Sequence, residues 1–330
     1  MPTLLYREAL NQALAEEMER DGRVFIMGED VGKYDGAYKV TRGLLKRFGE
    51  TRVVDCPISE NGFVGVGVGA ANAGLRPVIE LMSMNFAWLA LDQIMNHAAK
   101  LRYLSGGQVA TPLVIRGPNG PAEGLGAQHA QSMESVFAHV PGLKVVAPAT
   151  PADAKGLLKA AIRDENPVIF LENESLYSLK GETPEGEWLC PIGQSQLVRS
   201  GSDVTIVSYG RMVHACLAAV RQLEDQYSRS AEVIDLRSLR PLDLAPVLES
   251  VAKTGRAMVV SEAWPVCSLG TEIAHQITLR CFDSLKAAPV HLAAEDVPMP
   301  YAEPLARAVL PSAETIVERA QQLVTQSKTI

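Results

Sequence analysis

The strongest constraint on this sequence is a repeated alternation of short apolar runs with helix-like segments. The runs "RVFIMGED", "RVVDCP", "RPVIEL", "TPLVIRGPNG", "LKVVAP" and "PVIFLEN" are rich in Val and Ile, and most are separated by segments with helical periodicity. Strands that are apolar throughout are typical of parallel sheets covered by helices on both faces. The pattern therefore predicts an α/β fold.

The alternation occurs twice, with a break between the two series. The segment "KGETPEGEWLCPIG" is rich in Gly, Pro and Glu, which is typical of a linker. A second series follows, from "SDVTIVSYG" through "AEVIDLRSL" and "RAMVVSEAW" to a final helix "SAETIVERAQQLV". We therefore predict two doubly wound domains, at residues 1–180 and 201–330, joined by a linker at residues 181–200.

Composition and charge exclude several classes of function. The 330 residues carry a net charge of −7 without a basic cluster, so nucleic-acid binding is not expected. No segment approaches the ~20 uninterrupted apolar residues of a membrane span. The five cysteines are scattered without a CxxC pair, which argues against a zinc site or a redox dithiol and favours a reducing compartment.

The segment "PISENGFVGVGVGAANAG" places one carboxylate, Glu60, at the start of an apolar helix. Glu60 is either a charge favoured by the helix macrodipole, by ~0.3–1 kcal/mol, or a buried carboxylate directed at a ligand nitrogen. Gly65, Gly67 and Gly69 imitate a dinucleotide-binding fingerprint, with Glu80 at the end of the next strand. The third spacing is wrong and the glycines lie too deep in the helix, so close helix packing is the favoured interpretation.

Two further segments carry candidate functional groups. The loop "RGPNGPAEGLGAQHAQS" follows a predicted parallel strand and contains His129 at the edge where α/β proteins bind ligands; the local sequence leaves a structural role equally open. Asp164 and Asn166 end a helix in "AAIRDENP". An ordinary polar helix end is the favoured local interpretation there, and a cation site is the alternative.

Seven segments, spread in order over nearly the whole chain, together carry a family resemblance. They are "GEDVGKYDGAYKVTRGL", "PISENGFVGVGVGAANAGLRPVIE", "NFAWLALDQIMNHAAKLRY", "RGPNG", "AQHAQS", "HVPGLKVVAPATPADAKGLLKAAIRDENPVIFLEN" and "VVSEAWPVCSLGTEIA". The chain resembles the beta subunits of the thiamine-diphosphate-dependent 2-oxoacid dehydrogenases. "RGPNG" and "AAIRDENPVIFLENE" resemble most the members that act on pyruvate, of bacterial, cyanobacterial or plastid type. The resemblance implies a pyrimidine-binding domain followed by a transketolase C-terminal-like domain.

The resemblance implies a catalytic role for Glu60. In the family a glutamate at this position shares a proton with ring nitrogen N1′ of the cofactor's aminopyrimidine, which activates the 4′-amino group as the base for the C2 proton. A glutamate in an apolar pocket suits this role, because desolvation and a matched hydrogen bond hold the proton between the partners.

Other residues receive roles from the same resemblance. Phe86 and Met82 are expected to line the aminopyrimidine pocket, with Phe86 stacked on the ring. His129 is expected near the thiazolium, where it binds the substrate carboxylate or transfers a proton. Glu29 and Asp92 are expected to be buried acids near the pyrimidine, on an acidic path between two thiamine sites.

The resemblance also implies a structural potassium site and so reverses the local preference at Asp164. Its ligands, mostly backbone carbonyl oxygens, are expected at Leu113, Ala161, Ile162, Asp164 and Asn166.

The sequence contains no G-D-G segment, through which the thiamine family binds Mg²⁺ and the diphosphate. The resemblance therefore implies that an alpha subunit supplies this half of the site, in an α2β2 heterotetramer. It also implies that the second domain docks the lipoyl-bearing dihydrolipoamide acetyltransferase. The expected reaction is decarboxylation of pyruvate and reductive acetylation of the lipoyl disulfide, leading to acetyl-CoA, in the cytoplasm or in the stroma for a plastid-encoded chain.

Three other functions stay open at this point. The same fold could act on branched-chain 2-oxoacids or acetoin, which substrate competition would distinguish. A scaffold subunit without chemistry is the non-enzyme alternative, against which the presence of Glu60, Phe86 and His129 argues. A dinucleotide-binding oxidoreductase is the last, and NAD binding by the isolated chain would test it.

Overall fold

The computed structural model describes residues 1–122 and 124–326 of the chain, which form two compact units. Unit 1 comprises Met1–Asn119, Val136–Ile192 and Leu239–Pro241. Unit 2 comprises Gly120–Ser135, Gly193–Ser238 and Leu242–Ile330.

The described residues form fourteen strands, numbered along the chain. They are β1 (Thr3–Leu5), β2 (Val24–Gly28), β3 (Val53–Asp55), β4 (Arg76–Glu80), β5 (Val114–Pro118), β6 (Lys144–Val146), β7 (Val168–Glu172), β8 (Lys180–Glu182), β9 (Gln196–Arg199), β10 (Val204–Ser208), β11 (Ala231–Asp235), β12 (Ser238–Arg240), β13 (Ala257–Val260) and β14 (Val290–Leu292).

The α-helices of the described residues are numbered in the same way. They are α1 (Tyr6–Arg20), α2 (Leu44–Phe48), α3 (Glu60–Asn72), α4 (Leu101–Leu104), α5 (Glu134–His139), α6 (Pro151–Arg163), α7 (Met212–Tyr227), α8 (Ala245–Thr254), α9 (Leu269–Cys281), α10 (Glu303–Ala308) and α11 (Ala313–Thr325). Short 3₁₀ segments lie at Met84–Ala90, Glu174–Leu176 and Phe282–Ser284, and a π-helical turn lies at Gln93–Ala98.

Unit 1 is built on a seven-stranded sheet in the order β12-β6-β7-β5-β4-β2-β3. The neighbours from β6 to β3 pair in parallel, so the carboxyl ends of β2, β4, β5 and β7 meet at one edge. The central strands are buried along their whole length, as the uninterrupted apolar runs predict. The predicted α/β class is confirmed, and this edge is where ligands bind in such sheets.

Local sequence signals explain why the covering helices begin and end where they do. Thr150 caps α6 by accepting a hydrogen bond from the Asp153 amide, and Pro151 occupies the first helical position. In α1, Leu10 and Leu14 are one turn apart and fully buried, which places one face of the helix on the core.

Unit 2 carries a five-stranded sheet in the order β14-β13-β10-β11-β9. Its strands pair in parallel except β9, which is antiparallel to β11. Helices α7 and α11 pack on it and share an apolar core with β10 and β11. None of the helices within residues 1–122 and 124–326 is both long and apolar enough to cross a membrane.

The segment for which the sequence predicts a linker, 181–200, carries paired strands near both ends. β8 pairs antiparallel with β1, and β9 pairs with β11. The Gly/Pro/Glu-rich pattern begins within β8, at Lys180, and runs to Gly193 before β9. The strands are short and mostly exposed, so they lack the apolar run that marks a buried strand in sequence.

The periodicity of the segment "FAWLALDQIMNHAAKLRYLSGG", which ends in two glycines, predicts one long helix, and this prediction is wrong. It forms a 3₁₀ segment, a π-helical turn and the short helix α4. Gly142 contributes to the break, because its Cα lies so close to the Ala99 carbonyl that a Cβ there would stand 1.9 Å from the oxygen. Departures of this kind from the α-helix are frequent at functional sites.

Candidate functional site

Three connections at one edge of the unit 1 sheet carry the candidate cofactor-binding residues. Glu29 directly follows β2, Met82 lies two residues beyond β4, and Glu60 opens α3 after β3. Because β2 pairs in parallel with both β3 and β4, all three connections leave the sheet at its carboxyl edge.

Glu60 is the first residue of α3 and only 4% exposed. Ser59 occupies the N-cap position without a side-chain capping bond, so the amino end of the helix is not satisfied by a local side chain. No side chain or backbone group within the described ranges forms a hydrogen bond or an ion pair with the Glu60 carboxylate. A carboxylate buried this deeply is costly without a partner, so this position suits a ligand that carries a hydrogen-bonding nitrogen.

A second buried acid lies beside Glu60. Glu29 is 8% exposed, and its Oε1 atom is buried without a hydrogen-bond partner in the described part of the chain. Burial raises the pKa of Glu29, and the negative charges of Glu60 and Asp30 raise it further. Two neighbouring acids of which one tends to keep its proton are suited to holding a proton at a buried site.

The backbone on both sides of Glu29 is constrained. Gly28 approaches β4 so closely that a Cβ would stand 2.4 Å from the Glu80 carbonyl oxygen. Asp30, Asp35 and Lys39 all adopt the left-handed conformation, with φ of 57°, 61° and 64°. Such residues cost roughly 1–3 kcal/mol each and are enriched at functional sites. The segment "GEDVGKYDGAYK" contains glycines but carries no signal for strain at these three non-glycine positions.

Met82 and Phe86 are both half-buried, in the connection after β4. Phe86 belongs to the 3₁₀ segment Met84–Ala90, which Ser83 opens by accepting a hydrogen bond from the Asn85 amide. The structure thus places both expected pocket residues at the same sheet edge as Glu60.

Asp92, expected as a buried acid, is not buried in this chain. Its side chain is 61% exposed, with a carboxylate oxygen 3.4 Å from His97 Nε2, and it accepts a hydrogen bond from Asn96. The backbone of Asp92 is helical, and its side chain lies on the exposed side of this segment, contrary to the expectation.

His129 lies in the loop 120–133 and is half-buried. This loop clusters with unit 2, although β5, which precedes it, belongs to unit 1. The sequence analysis assigns this loop to the first domain, because the segments before and after the loop in sequence belong to that domain. Glu123, in the same loop, lies outside the described residues.

The five residues of the expected potassium site lie in the last turn of α6, in the connection that follows it, and directly before β5. The Leu113 carbonyl accepts a hydrogen bond from Val168, and the Ala161 carbonyl accepts one from Asp164. The carbonyls of Ile162 and Asp164 accept hydrogen bonds from Arg76 Nη1, at 3.0 and 3.3 Å.

Side chains complete this cluster. Lys144 forms an ion pair with the Asp164 carboxylate, which also accepts a hydrogen bond from Asn166. Burial alone would raise the Asp164 pKa, but the hydrogen bonds from Lys144 and Asn166 lower it below its ordinary value. The donor set of carbonyl oxygens and one carboxylate fits a hard cation, although Arg76 and Lys144 already bring positive charge to it.

A buried ion triad lies across the central strands of unit 1, and sequence analysis missed it. Arg116 of β5 is 1% exposed and pairs with Glu80 of β4 and, at 2.5 Å, with Glu172 of β7. Tyr177 donates a hydrogen bond to Glu172 Oε2 at 2.7 Å. Each of the three apolar runs "VIRGP", "RPVIE" and "VIFLE" contains one of these charged residues, and this was the available signal for a buried ion cluster.

The glycines of α3 differ in their surroundings. A Cβ at Gly67 would stand 2.7 Å from Ile79 Cδ1, so the helix packs closely on β4 there. A Cβ at Gly65 would approach the Gln93 side chain at 3.1 Å, whereas one at Gly69 would meet no atom within 4 Å in the described part of the chain. All three lie inside the helix, away from its amino end, so they form no phosphate-binding turn.

Comparisons with known proteins identify both parts of the chain. Residues 3–180 match the family described as transketolase, pyrimidine binding domain, and residues 193–316 match the transketolase C-terminal domain.

Curated relatives match over nearly the whole chain. The protein named pyruvate dehydrogenase E1 component subunit beta from Rhizobium meliloti is 53% identical over 96% of this chain and 69% of its own length. The protein of the same name from Rickettsia felis is 49% identical over 96% of this chain and 97% of its own. The mitochondrial protein of that name from Caenorhabditis elegans is 51% identical, with 97% and 92% covered.

Solved structures share the fold at lower identity. A structure described as a split gene transketolase, inactive beta4 tetramer, superposes with a TM-score of 0.80 at 23% identity, covering 98% of this chain and 99% of that one. A transketolase from Campylobacter jejuni superposes with a TM-score of 0.72 at 15% identity, covering 97% of this chain and 47% of that one. These likenesses bear on the fold alone.

Proposed function

This chain belongs to the family of beta subunits of the pyruvate dehydrogenase E1 component, and we propose that it supplies the pyrimidine half of a thiamine diphosphate site that decarboxylates pyruvate. The observation that carries the proposal is the Glu60 carboxylate, which is buried at a helix start and unpartnered within the described ranges. A buried acid without a partner at the ligand-binding edge of a parallel sheet fits the ring nitrogen of an aminopyrimidine.

The chain's residues act around the bound cofactor. Thiamine diphosphate supplies the carbon nucleophile that adds to the substrate carbonyl and accepts the electron pair left by CO₂. Glu60 holds a proton between its carboxyl oxygen and the pyrimidine ring nitrogen. Glu29, whose pKa burial and the neighbouring charges raise, keeps its own proton more readily and so reduces the charge repulsion on Glu60.

The other proposed contacts orient the cofactor and the substrate. Phe86 stacks on the face of the aminopyrimidine, and Met82 fills the apolar wall of the same pocket. His129 binds the carboxylate of the 2-oxoacid or transfers a proton. Their half-buried positions support these roles, since each side chain keeps a face that a ligand can cover.

We further propose that an alpha subunit holds Mg²⁺ and the diphosphate, in an α2β2 heterotetramer. The sequence has no G-D-G segment for this purpose. Unit 1 also exposes large apolar side chains on and after the segment that carries Phe86, which supports a covered surface in the assembly. They are Trp88, Leu89, Tyr103 and Leu104.

The proposed product transfer follows from the same family. The assembly passes the acetyl group to the lipoyl disulfide of a dihydrolipoamide acetyltransferase, which is reduced as it is acylated, on the way to acetyl-CoA. No disulfide joins any of the five cysteines within the described part of the chain, which supports a reducing compartment such as the cytoplasm.

The experiment is co-expression of this chain with an alpha subunit of the same family. We expect a heterotetramer that retains thiamine diphosphate and Mg²⁺ through gel filtration and oxidises pyruvate with an artificial electron acceptor, in preference to branched-chain 2-oxoacids and acetoin. The isolated chain is the control and should bind the cofactor weakly, because it holds half of the site. Tight binding by the isolated chain would contradict the shared site, and a preference for another substrate would redirect the assignment.

We also propose that Leu113, Ala161, Ile162, Asp164 and Asn166 hold a structural potassium ion. The convergence of carbonyl oxygens at the end of α6 supports this, together with the Asp164 carboxylate. No cluster of three or more His, Cys, Asp and Glu side chains in the described residues could hold a metal ion, so a site here depends on backbone oxygens.

Removal of potassium should lower the melting temperature of the protein. A ligand present at 100 times its Kd stabilises the folded state by about 2.7 kcal/mol, so melting curves in KCl should lie several degrees above those in choline chloride at equal ionic strength. NaCl serves as the second control, because its smaller cation fits the same oxygens less well. Equal melting temperatures in all three salts would show that Arg76 and Lys144 already satisfy these oxygens.

A further inference from the structure

Three residues at the junction between the His129 loop and α5 form hydrogen bonds with other elements of unit 2. Ser132 Oγ donates a hydrogen bond to the Glu262 carbonyl at 3.3 Å. The Leu269 amide donates to Ser135 Oγ at 3.0 Å. Between these two, Glu134 Oε1 accepts a hydrogen bond from the Tyr209 hydroxyl at 3.0 Å.

The three partners come from different elements of unit 2. Tyr209 directly follows β10, Glu262 lies two residues beyond β13, and Leu269 opens α9. Because β10 and β13 are parallel neighbours, their carboxyl ends present both partners at one sheet edge. The loop end is therefore fixed by a rigid part of the unit.

Of the three hydrogen bonds, the one between Tyr209 and Glu134 is expected to contribute most to holding the end of the loop in place. Glu134 is 1% exposed and Tyr209 is also buried. A hydrogen bond to a charged acceptor is worth roughly twice a neutral one, so this bond contributes more than the two neutral bonds beside it.

The groups around Tyr209 keep its hydroxyl protonated. Ser261, which directly follows β13, has its Oγ 2.9 Å from His291 Nε2. Burial raises the pKa of Tyr209 well above its ordinary value, so its hydroxyl stays protonated and keeps donating. Burial also lowers the pKa of His291, which keeps this imidazole neutral near pH 7. The negative charge of Glu262, which pairs with Arg211 at 2.6 Å, raises the pKa of Tyr209 further.

We propose that Glu134 and Tyr209 are positioning residues, whose buried hydrogen bond fixes the loop from which His129 reaches the substrate. The inference rests on the proposed function, since that function gives His129 its role at the 2-oxoacid. Glu134 is five residues after His129 in the chain. Greater motion of the backbone at Glu134 would therefore allow greater motion of the His129 imidazole. Displacement of a catalytic group by about 1 Å can lower the rate by about 100-fold.

The test is Tyr209→Phe in the assembly with the alpha subunit, with Tyr177→Phe as the matched control. Tyr177 also donates a hydrogen bond to a buried carboxylate, Glu172, so both variants lose the same hydroxyl from the same kind of bond. For Tyr209→Phe we expect kcat/KM for the 2-oxoacid to fall about tenfold or more, while thiamine diphosphate affinity changes less than twofold. Glu134→Gln keeps an oxygen that can accept the hydrogen bond from Tyr209, and this variant should retain most of the wild-type activity.

A second readout does not depend on catalysis. Amide hydrogen exchange of residues 124–133 should become faster in Tyr209→Phe and stay unchanged in Tyr177→Phe, in the assembly without cofactor. Unchanged exchange in both variants would overturn the proposal, as would an equal loss of activity in the two. If the wild-type assembly shows no 2-oxoacid activity, the proposed function fails, whereas the exchange result still decides whether this bond fixes the loop.

Discussion

Glu60→Gln, assembled with an alpha subunit, is expected to form the same heterotetramer and to lose nearly all turnover of the 2-oxoacid. Glutamine has the shape of glutamate, but its amide has no carboxyl proton to share with the ring nitrogen. Acid–base groups of this kind contribute about 10²–10⁴-fold to rate, and we expect a loss of kcat in that range. Steady-state kinetics on the purified assembly, with its cofactor content measured alongside, provides the test.

The control variant separates catalysis from helix stabilisation. Glu303 also occupies the first position of a helix, α10, but its side chain is about half exposed and pairs with Arg307. Glu303→Gln removes a similar favourable interaction between a carboxylate charge and the helix macrodipole, worth ~0.3–1 kcal/mol. This variant should keep turnover near the wild-type level. Near wild-type turnover in Glu60→Gln would reduce that residue to a helix-end charge and remove the main support for the assignment.

Arg116→Met should cause the largest loss of stability among single substitutions in unit 1. Methionine fills much of the same volume but leaves Glu80 and Glu172 facing each other in the interior without the cation between them. Removal of one partner from a buried ion pair costs about 3–5 kcal/mol. Urea-induced unfolding of the chain, compared with wild type by the shift in its midpoint, measures the effect.

The loss of stability in Arg116→Met should depend on pH, and the direction of that dependence tests its cause. Burial already raises the pKa of Glu80 against the opposing attraction of Arg116, and without that cation the pKa rises further. A carboxyl group whose folded pKa is raised destabilises the fold increasingly as pH rises through that pKa. The deficit relative to wild type should therefore be smaller at pH 5 than at pH 8.

An exposed ion pair provides the control for this variant. Arg47 pairs with Glu19, and both side chains are about half exposed. Arg47→Met should cost less than ~1 kcal/mol, as is usual for surface pairs. A similar loss in Arg47→Met and Arg116→Met would show that burial of the triad does not determine its contribution.

The sequence predicts those features of this chain that depend on local patterns. The apolar runs mark the central strands because each is buried throughout, and Thr150 with Pro151 marks the start of α6. The pattern fails where long-range packing decides. The approach of Gly142 to Ala99 helps to divide a segment that is helical by periodicity, and the short exposed strands β8 and β9 lack an apolar run.

In the candidate site, too, local sequence patterns predict some features, and long-range packing determines the others. The position of Glu60 before an apolar helix was sufficient to raise the question of its partner, whereas its role came from the family resemblance. The strain at Asp30 and the pairing of Arg116 with Glu80 depend on backbone angles and neighbouring strands, which a single sequence does not display. The exposure of Asp92, which the resemblance places among the buried acids, is likewise not visible in a single sequence.

The division of the chain into units has a consequence for attempts to dissect the protein. The units take alternate stretches of sequence, so the backbone passes from one to the other five times between residues 119 and 242. A cut within residues 181–200 would leave the His129 loop on the fragment that holds most of unit 1, away from the strands of unit 2 that bind it. Neither unit is a contiguous piece of sequence, and for this protein a pair of truncated expression fragments is not a pair of structural domains.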